Sequence, residues 1–378
     1  MVTNGGVAGR GRYVGLVHRA ALGLGSAVAF LVICEVVLRL VWANPYRLEP
    51  MPEPYFRLHR PEMRASVSAR YLYPDGGRVE VCTGPDRAAV SGKENRGTFA
   101  VALGGSTTES ALVPEGSRWP DLVAGSPRNY GVSGNTSVDS YWNLRFLTAL
   151  PEGPIETVYL THAVNDLRAY LSEGAKTFDV ETWRQPPVDL LGIDQPGQQV
   201  APGVAIRDSW LLSFLRFTER EVRGRSIFDA YLANRNSQAH LPTLDETSFR
   251  GFRHGLRTRL LPARARVFGR IADVAGSVGA RVVICSQPHA YRSDYRPFHD
   301  DLRLFPVVKG KRLSMSQAAE VMGILNRQNM AVAEQHGWRA VDAAAVFAVE
   351  DPSPLFYDSV HFTPAGSRLF AEFVTCSR

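Results

Sequence analysis

The pattern that most constrains this chain is an alternation of short apolar runs and amphipathic stretches from Thr98 onward. Four runs are rich in small and β-branched residues, as in strands buried on both faces: TFAVALGG, IETVYLTH, ARVVICSQ and the weaker WRAVDAA. Between and after them lie stretches with helical spacing of apolar residues: SVDSYWNLRFLTAL, PARARVFGRIADVAGSVG, SMSQAAEVMGILNRQNMAVAEQHG and TPAGSRLFAEFV. This alternation predicts an α/β domain with a parallel sheet covered on both faces. In such domains the ligand site lies beyond the carboxyl ends of the strands.

An apolar segment near the N-terminus is long enough to cross a bilayer as a helix. It runs from Ala20 to Trp42, and about 20 residues suffice for a span. Glu35 and Arg39 lie four positions apart within it, so they can pair on one helix face. We therefore predict a cytoplasmic stub and transmembrane anchor over residues 1–43. A cleaved signal peptide ending near Ala43 is the alternative, although charges so late in the apolar region argue against it.

The orientation of that helix depends on the basic residues that flank it. Three arginines precede the span and three follow it: Arg10, Arg12 and Arg19, then Arg47, Arg57 and Arg60. The first three are concentrated next to the span, and a large following domain is translocated largely regardless of its charge. We expect a single-pass membrane protein with a cytoplasmic N-terminus and an extracytoplasmic domain, in the periplasm or at the cell surface.

Two regions depart from the alternation. Residues 44–97 are rich in proline and arginine with little periodicity, which predicts a stalk followed by irregular or hairpin structure. The domain itself is expected over residues 98–378. Within it, Tyr170 to Leu261 shows no clear core strand and is too long for an ordinary connection. We predict a helical insertion there, either covering the site or lying near the membrane.

The distribution of charge restricts the kinds of macromolecule that this chain is expected to bind. Lysine and arginine outnumber aspartate and glutamate by 43 to 37, but the basic residues are scattered. The densest run, Arg250 to Arg270, is interpreted as a solvated helix face, with anionic lipid, an acidic polymer or nucleic acid as alternatives. We expect no nucleic-acid partner.

The four cysteines lack metal-ligand spacing, so neither a metal nor a cofactor is predicted, and a disulfide between Cys82 and Cys376 stays open.

Ser106 follows the first apolar run and two glycines, at a predicted strand-to-helix turn. Backbone N–H groups at such a turn can hold a developing oxyanion, which suits a nucleophile. The residue can also be a plain N-cap, since S-T-T-E from Ser106 to Glu109 fits a capping box. The segment by itself favours the cap. Together with the segments described next, it leads us to expect both roles.

Three other segments supply what a serine nucleophile needs. Asp358 and His361 lie three residues apart just before a predicted helix, so the carboxylate can orient the imidazole as a general base. Gly131 and Gly134 permit the close backbone approach of an oxyanion hole. Asn165, at a strand end, can add a side-chain N–H to the same oxyanion.

Four blocks in this order, GGSTT, NYGVSGNTS, HAVND and DSVHFTPAG, resemble those of the SGNH hydrolases, also called GDSL esterases and lipases. The resemblance spans Phe99 to Val374 apart from the insertion. It implies a flavodoxin-like three-layer α/β/α sandwich around a parallel sheet of about five strands. It also implies cleavage of an acyl ester through an acyl-enzyme, or transfer of the acyl group to another hydroxyl.

The family pattern implies a role for each matching residue. Ser106 is expected to be the nucleophile, His361 the general base and then acid, and Asp358 its partner. The N–H groups of Ser106 and Gly134 and the side chain of Asn165 are expected to form the oxyanion hole.

Two positions depart from the family pattern. Gly105 stands where the family name expects Asp, and Ala163 stands where the third block usually has Gly. Neither change removes a catalytic atom. The GGST form of the first block is similar to membrane-anchored members of the superfamily, many of which accompany polysaccharide machinery.

Five side chains near the ends of the second and third runs are candidates for contact with substrate: His162, Asp166, Gln287, His289 and Arg292. Arg292 in that position can hold a uronate or pyruvate group of a glycan. The alternative is structural: a hydrogen-bonded pair around Asn165, and an ordinary loop around Pro288.

The residues and the resemblance together predict a serine esterase. Its expected substrate is an acyl ester, in the first instance an O-acetyl ester, of an extracytoplasmic carbohydrate or cell-envelope component. The alternatives are an O-acyltransferase acting on exopolysaccharide, a lipid or lysophospholipid esterase, and a non-catalytic subunit of polysaccharide assembly. Hydrolysis and transfer share one set of catalytic residues, so the sequence does not separate them.

Overall fold

The structure is a computed structural model that describes residues 8–41, 57–59, 61–62, 64–68, 72, 78–91, 99–150, 153–182, 211, 214–215, 237–298 and 302–376. The chain divides into two compact units. One comprises Met1–Arg47 with Pro196–Ser226, and the other comprises Leu48–Gln195 with Ile227–Arg378.

The first unit contains helix α1, Ala8–Val41. Its segment Gly23–Val41 is 19 residues long with a mean hydropathy of 2.2 and is not buried by protein. The predicted pair forms, since Nε of Arg39 donates to Oε1 of Glu35 at 2.9 Å. By length and composition this segment can cross a membrane. A signal sequence has the same length and composition, so both interpretations fit. Trp42 and Ala43, at the end of the predicted anchor, lie outside the described residues.

The strands of the second unit form a hairpin, a main sheet and a small ribbon. In chain order they are β1 (Arg64–Ser68), β2 (Arg78–Cys82), β3 (Ala100–Gly104), β4 (Arg128–Asn129), β5 (Thr157–Thr161), β6 (Arg281–Cys285), β7 (Val307–Val308), β8 (Lys311–Arg312) and β9 (Arg339–Val341). The pair β1–β2 is antiparallel, so part of residues 44–97 adopts the hairpin form, whereas residues 44–56 lie outside the described part of the chain.

The main sheet has five parallel strands in the order β4-β3-β5-β6-β9. Numbered along the chain, this is the order 2-1-3-4-5 of flavodoxin-like folds. The four strands β3, β5, β6 and β9 correspond to the four apolar runs. The edge strand β4 was not predicted from sequence, because it is two residues long and polar, Arg128–Asn129.

Four of the helices described in the second unit coincide with the four predicted stretches. The described helices of this unit are α2 (Ser106–Glu109), α3 (Trp119–Leu122), α4 (Ser137–Leu147), α5 (Val164–Glu173) followed by a 3₁₀ turn (Gly174–Phe178), α6 (Glu246–Gly255) followed by a π turn (Leu256–Leu260), α7 (Leu261–Ser277), α8 (Met315–His336), α9 (Ala343–Val349) and α10 (Pro364–Cys376). Much of the predicted insertion, 183–210 and most of 211–236, lies outside the described residues, while its described ends are largely helical.

Alternate side chains of each strand enter two separate cores. Val101 and Leu103 of β3 pack with α4, α5, α7 and α8, while Ala100 and Ala102 pack with α3, α9 and α10. Trp119 of α3 is fully buried in the second core, as expected for packing. The expectation of a three-layer α/β/α sandwich is confirmed. All four cysteines lie within described parts of the chain and are free thiols, so Cys82 and Cys376 are not joined.

Candidate active site

Ser106 is the first helical residue of α2, directly after β3 and Gly105. The helix lasts a single turn, because Ser110 adopts a left-handed conformation with φ of 49° and ends it. The N-cap position belongs to Gly105, and no side chain caps this helix. The expectation that Ser106 also caps α2 is therefore wrong. Its hydroxyl is directed instead to a residue from the far end of the chain.

That residue is His361, whose Nε2 lies 2.6 Å from Oγ of Ser106. Its other ring nitrogen, Nδ1, lies 2.6 Å from Oδ2 of Asp358. The carboxylate is fully buried, and its Oδ1 accepts backbone N–H bonds from Val360 and His361, each at 2.8 Å. Because a carboxylate only accepts, this arrangement places the imidazole proton on Nδ1 and leaves Nε2 to receive a proton from Ser106.

The loop carrying Asp358 and His361 is held from several sides. The hydroxyl of Tyr295 donates to the carbonyl of Asp358 at 3.0 Å, and the backbone N of Ala290 donates to the carbonyl of Ser359 at 2.8 Å. The ring of Tyr357 is stacked on that of His361, with centroids 5.4 Å apart and planes 5° apart. These contacts fix the imidazole in one orientation.

The predicted oxyanion-hole groups outside Ser106 lie on the loop before α4 and in the first turn of α5. Gly134 has a φ of 81°, a conformation that favours glycine. Nδ2 of Asn165, in the first turn of α5, donates to the carbonyl of Asn135 at 3.1 Å, which connects this turn to the loop. A Cβ on Gly131 would stand 2.3 Å from the backbone N of Glu109, so Gly131 packs closely against the end of α2, and its predicted part in the oxyanion hole stays a prediction.

The geometry accounts for both departures from the family pattern. A Cβ on Gly105 would stand 2.0 Å from Nδ2 of Asn165 and 3.1 Å from the carbonyl oxygen of Asn135, so a larger residue would have to displace the amide of Asn165. Ala163 has a φ of −163°, which is extended backbone that any residue adopts, and its methyl group is buried in the core. Neither position distorts the arrangement of Ser106, His361 and Asp358.

Two candidate substrate residues, His162 and Asp166, are buried and bonded within the domain. Nε2 of His162 lies 2.8 Å from Oγ of Ser140, and burial lowers the pKa of His162 to about 4. Asp166 accepts from the backbone N of Ser137 at 2.8 Å and from Nε of Arg264 at 2.6 Å. These positions favour the structural interpretation of both residues.

Arg264 was not singled out from the sequence. It lies in the basic run Arg250 to Arg270, which we interpreted as a solvated face, yet it is fully buried with Asp166. Its spacing of three and four from the apolar Val267 and Phe268 places it on the apolar face of α7, and that spacing is the signal that identifies it. The ion pair of Asp166 and Arg264 connects α5 to α7 at the residue that follows Asn165.

The other three candidates, on the loop after β6, have different surroundings. Oε1 of Gln287 accepts from the backbone N of Val164 at 2.9 Å, next to Asn165. His289 is partly exposed, and burial lowers its pKa to about 4. Arg292 is bound to Asp294 by two contacts of 2.9 and 2.6 Å and donates to two carbonyls at the end of α9. Arg292 is therefore engaged by other groups of the protein, and both it and His289 are partly exposed.

Sequence patterns also gave no indication of Arg57 and His59, which lie in the region predicted as stalk or irregular structure. Both are buried, Arg57 against residues 133–135 and His59 beside Glu109. Across the described residues, no three His, Cys, Asp or Glu side chains cluster as a metal site would require.

Residues 102–369 match the model of the GDSL-like lipase/acylhydrolase family. No curated protein matches the sequence. Similar solved structures include phospholipase A1 from Streptomyces albidoflavus NA297, with 16% identity, coverage of 75% of this chain and 100% of that one, and a TM-score of 0.37. They also include an acetyl xylan esterase from Geobacillus stearothermophilus, with 14% identity, 73% and 92% coverage and a TM-score of 0.34. An extracellular lipase from Streptomyces rimosus has 15% identity, 75% and 100% coverage and a TM-score of 0.36. Because the family model matches most of its length, this chain belongs to the GDSL-like lipase/acylhydrolase family and is an ester hydrolase.

Proposed function

We propose that this chain is a serine esterase that removes acyl groups, in the first instance O-acetyl groups, from an extracytoplasmic carbohydrate or cell-envelope substrate. The observation that carries the proposal is the pair of 2.6 Å contacts that connect Asp358 to His361 and His361 to Ser106. A serine paired in this way with a histidine and a buried carboxylate is equipped to form and hydrolyse an acyl-enzyme.

In the first half-reaction, Oγ of Ser106 attacks the ester carbonyl while its proton moves to Nε2 of His361. Asp358 stabilises the imidazolium that forms. The carbonyl oxygen becomes an oxyanion, which the N–H groups of Ser106 and Gly134 and Nδ2 of Asn165 are placed to hold. The ester C–O bond then breaks, Nε2 returns the proton to the departing alcohol, and the acyl group remains on Oγ.

In the second half-reaction, water takes the place of the alcohol. Nε2 of His361 accepts a proton from water as its oxygen attacks the acyl carbon, and the same donors hold the second oxyanion. Release of Oγ with that proton regenerates Ser106 and frees the carboxylic acid. If a sugar hydroxyl attacks instead of water, the identical steps transfer the acyl group.

Two features support a substrate outside the cytoplasm. The segment Gly23–Val41 spans about 28 Å as a helix, which matches the hydrocarbon core of a bilayer. The GGST block resembles that of membrane-anchored relatives associated with polysaccharide machinery. We therefore place the domain on the extracytoplasmic side, with α1 retained as the anchor. Sequencing the N-terminus of the mature protein and protease protection of intact cells test the anchor and the orientation.

The esterase activity is tested with the full chain in detergent. The unsubstituted protein should hydrolyse an aryl acetate and become labelled on Ser106 by a serine-directed phosphonate. Ser106→Ala should lose both properties, while Ser277→Ala, at the exposed end of α7, should retain them. Absence of turnover and of label in the unsubstituted protein would overturn the proposal.

The substrate class is tested in cells with and without the gene. A rise in the acetyl content of surface polysaccharide on deletion supports an esterase, whereas a fall identifies an acyltransferase. An unchanged polysaccharide with altered lysophospholipid content would instead identify a lipid esterase.

A further inference from the structure

Arg57 is a buried arginine on the segment Arg57–His59, which follows the N-terminal helix in sequence and lies against the candidate active site. We propose that Arg57 is a positioning residue that holds the oxyanion-hole loop, residues 133–135, in place beside Ser106. This inference rests on the proposed function, because it assigns a role in the same site.

The guanidinium of Arg57 contacts the loop at two successive residues. The side chain is 2% exposed, and its Nη2 donates to the carbonyl of Ser133 at 3.0 Å. The neighbouring Gly134 faces the same group, because a Cβ on Gly134 would stand 3.2 Å from Nη2 and 3.6 Å from Nη1. The residue expected to supply a backbone oxyanion donor is thus packed directly against the guanidinium.

The backbone carbonyl of Arg57 binds the other side of the loop. It accepts from Nδ2 of Asn135 at 3.2 Å and from Nδ2 of Asn143 at 2.9 Å, both fully buried. The carbonyl of Asn135 in turn accepts from Nδ2 of Asn165 at 3.1 Å. Arg57 is therefore connected to both expected donors outside Ser106, the N–H of Gly134 and the amide of Asn165.

His59, on the same segment, lies close to Glu109, which contacts the same loop residue, Ser133. Its Nε2 lies 3.1 Å from Oε1 of Glu109, and the hydroxyl of Ser133 donates to the other oxygen of Glu109. His59 and Glu109 are 5% and 1% exposed. Arg57 therefore binds Ser133 directly, and His59 lies beside the carboxylate that accepts from the hydroxyl of Ser133.

The contact suits an arginine because its planar group both donates to the loop and packs against it. One Nη reaches the carbonyl of Ser133 while the plane fills the space beside Gly134. A lysine presents a single point charge and cannot reproduce this geometry. Loss of the fork should let the loop move, and a displacement of about 1 Å at a reacting group costs roughly 10²-fold in rate.

The test compares Arg57→Lys with Arg118→Lys in the full chain. Arg118 is also fully buried, but it binds the carbonyls of Glu80, Val90 and Val113, away from residues 133–135. With an aryl acetate, Arg57→Lys should lower kcat by about tenfold or more and leave KM within about twofold, since the change affects the transition state. Arg118→Lys should leave kcat per folded molecule near that of the unsubstituted protein.

Chemical rescue supplies a second readout. Guanidinium added at millimolar concentration to Arg57→Ala should restore part of the lost kcat, whereas sodium chloride at equal ionic strength should not. Equal kcat values in the two lysine variants, a loss confined to KM, or no rescue would overturn the role of Arg57.

A readout that does not depend on turnover separates this inference from the proposed function. With ¹⁵N-glycine labelling, the amide resonance of Gly134 should shift and exchange faster with solvent in Arg57→Lys but not in Arg118→Lys. If the unsubstituted chain hydrolyses nothing, the proposed function fails, and an unchanged Gly134 resonance in Arg57→Lys would separately overturn the positioning role.

Discussion

Gly105 lies so close to the side chain of Asn165 that a Cβ at position 105 would stand 2.0 Å from Nδ2 of Asn165. Gly105 stands where the family name expects Asp, and its lack of a side chain leaves room for the amide of Asn165, an expected oxyanion donor. The departure is compensated within the site, because the amide of Asn165 occupies the space that a side chain at position 105 would need.

Substitution of Gly105 tests this relationship. Gly105→Ala should displace the amide of Asn165 and lower kcat for an aryl acetate by about 10²–10³-fold, the cost of losing one oxyanion-hole donor. The control is Gly269→Ala in α7, where a Cβ meets no atom within 4 Å. It should keep full activity and gain about 0.5–1 kcal/mol in stability, as alanine does in a helix. A fully active Gly105→Ala would contradict the assignment of Asn165.

The carboxylate of Asp358 is predicted to act through His361. Asp358→Asn should keep the fold but favour the wrong imidazole tautomer, and kcat should fall by about 10⁴-fold. The exposed Asp351, whose side chain accepts from the backbone N of Ser353 at 3.0 Å, supplies the control Asp351→Asn. Steady-state kinetics and the rate of phosphonate labelling measure the difference. Equal losses in the two variants would show that the contact with His361 is incidental.

The buried pair of Asp166 and Arg264 is predicted to stabilise the domain and not to bind substrate. Asp166→Asn should lower the free energy of unfolding by about 3–5 kcal/mol, because the charge of Arg264 is left buried without its partner. Denaturant titration measures this loss.

The exposed pair of Lys311 and Asp245 provides the comparison for that experiment. Lys311→Met should leave the free energy of unfolding nearly unchanged, since exposed ion pairs contribute little. If Asp166→Asn keeps its stability but raises KM, the substrate-binding interpretation of Asp166 is the correct one.

Stability is predicted to fall in mild acid because of His162. Burial lowers the pKa of this imidazole to about 4, against about 6.5 in the unfolded chain. Between these values the unfolded state binds more protons, so stability decreases as pH falls. For His162 the loss from pH 7 to pH 5 is about 2 kcal/mol, and His289 acts in the same direction.

Denaturant titrations at pH 7 and pH 5 check this dependence. His162→Gln should show a smaller difference between the two pH values than the unsubstituted chain. The exposed His240 gives the matched variant, and His240→Gln should keep the full difference. The same pH dependence in both variants would exclude His162 as its source.

Local patterns predicted most of the fold. The apolar runs became β3, β5, β6 and β9, because a strand buried on both faces needs consecutive apolar side chains wherever it lies in the sheet. Strand β4 was missed, since two residues carry no periodicity. Arg264 was assigned to a solvated face because the abundance of arginine in its run obscured its place on the apolar side of α7.

The candidate site was predicted in part. The short blocks around Ser106, Gly134, Asn165 and the Asp358–His361 pair were recognisable because each has its own local chemistry. The buried Arg57 and His59 were not, since the chain around them has neither apolar periodicity nor a motif. Their surroundings come from α2, from α4 and from the loop before α4, far away in sequence.

The sequence by itself determined the elements, their order and the groups at the carboxyl ends of the strands, because these follow from side-chain periodicity and covalent connection. Only the tertiary structure decided which groups meet. Ser106 and His361 are 255 positions apart and come within 2.6 Å, because the loop that carries His361 is bound to the loop after β6 through Ser359 and Ala290. The same packing places the amide of Asn165 where a side chain on residue 105 would stand, and it places Arg57 against Gly134. These neighbours are distant in sequence, so no local pattern reveals them.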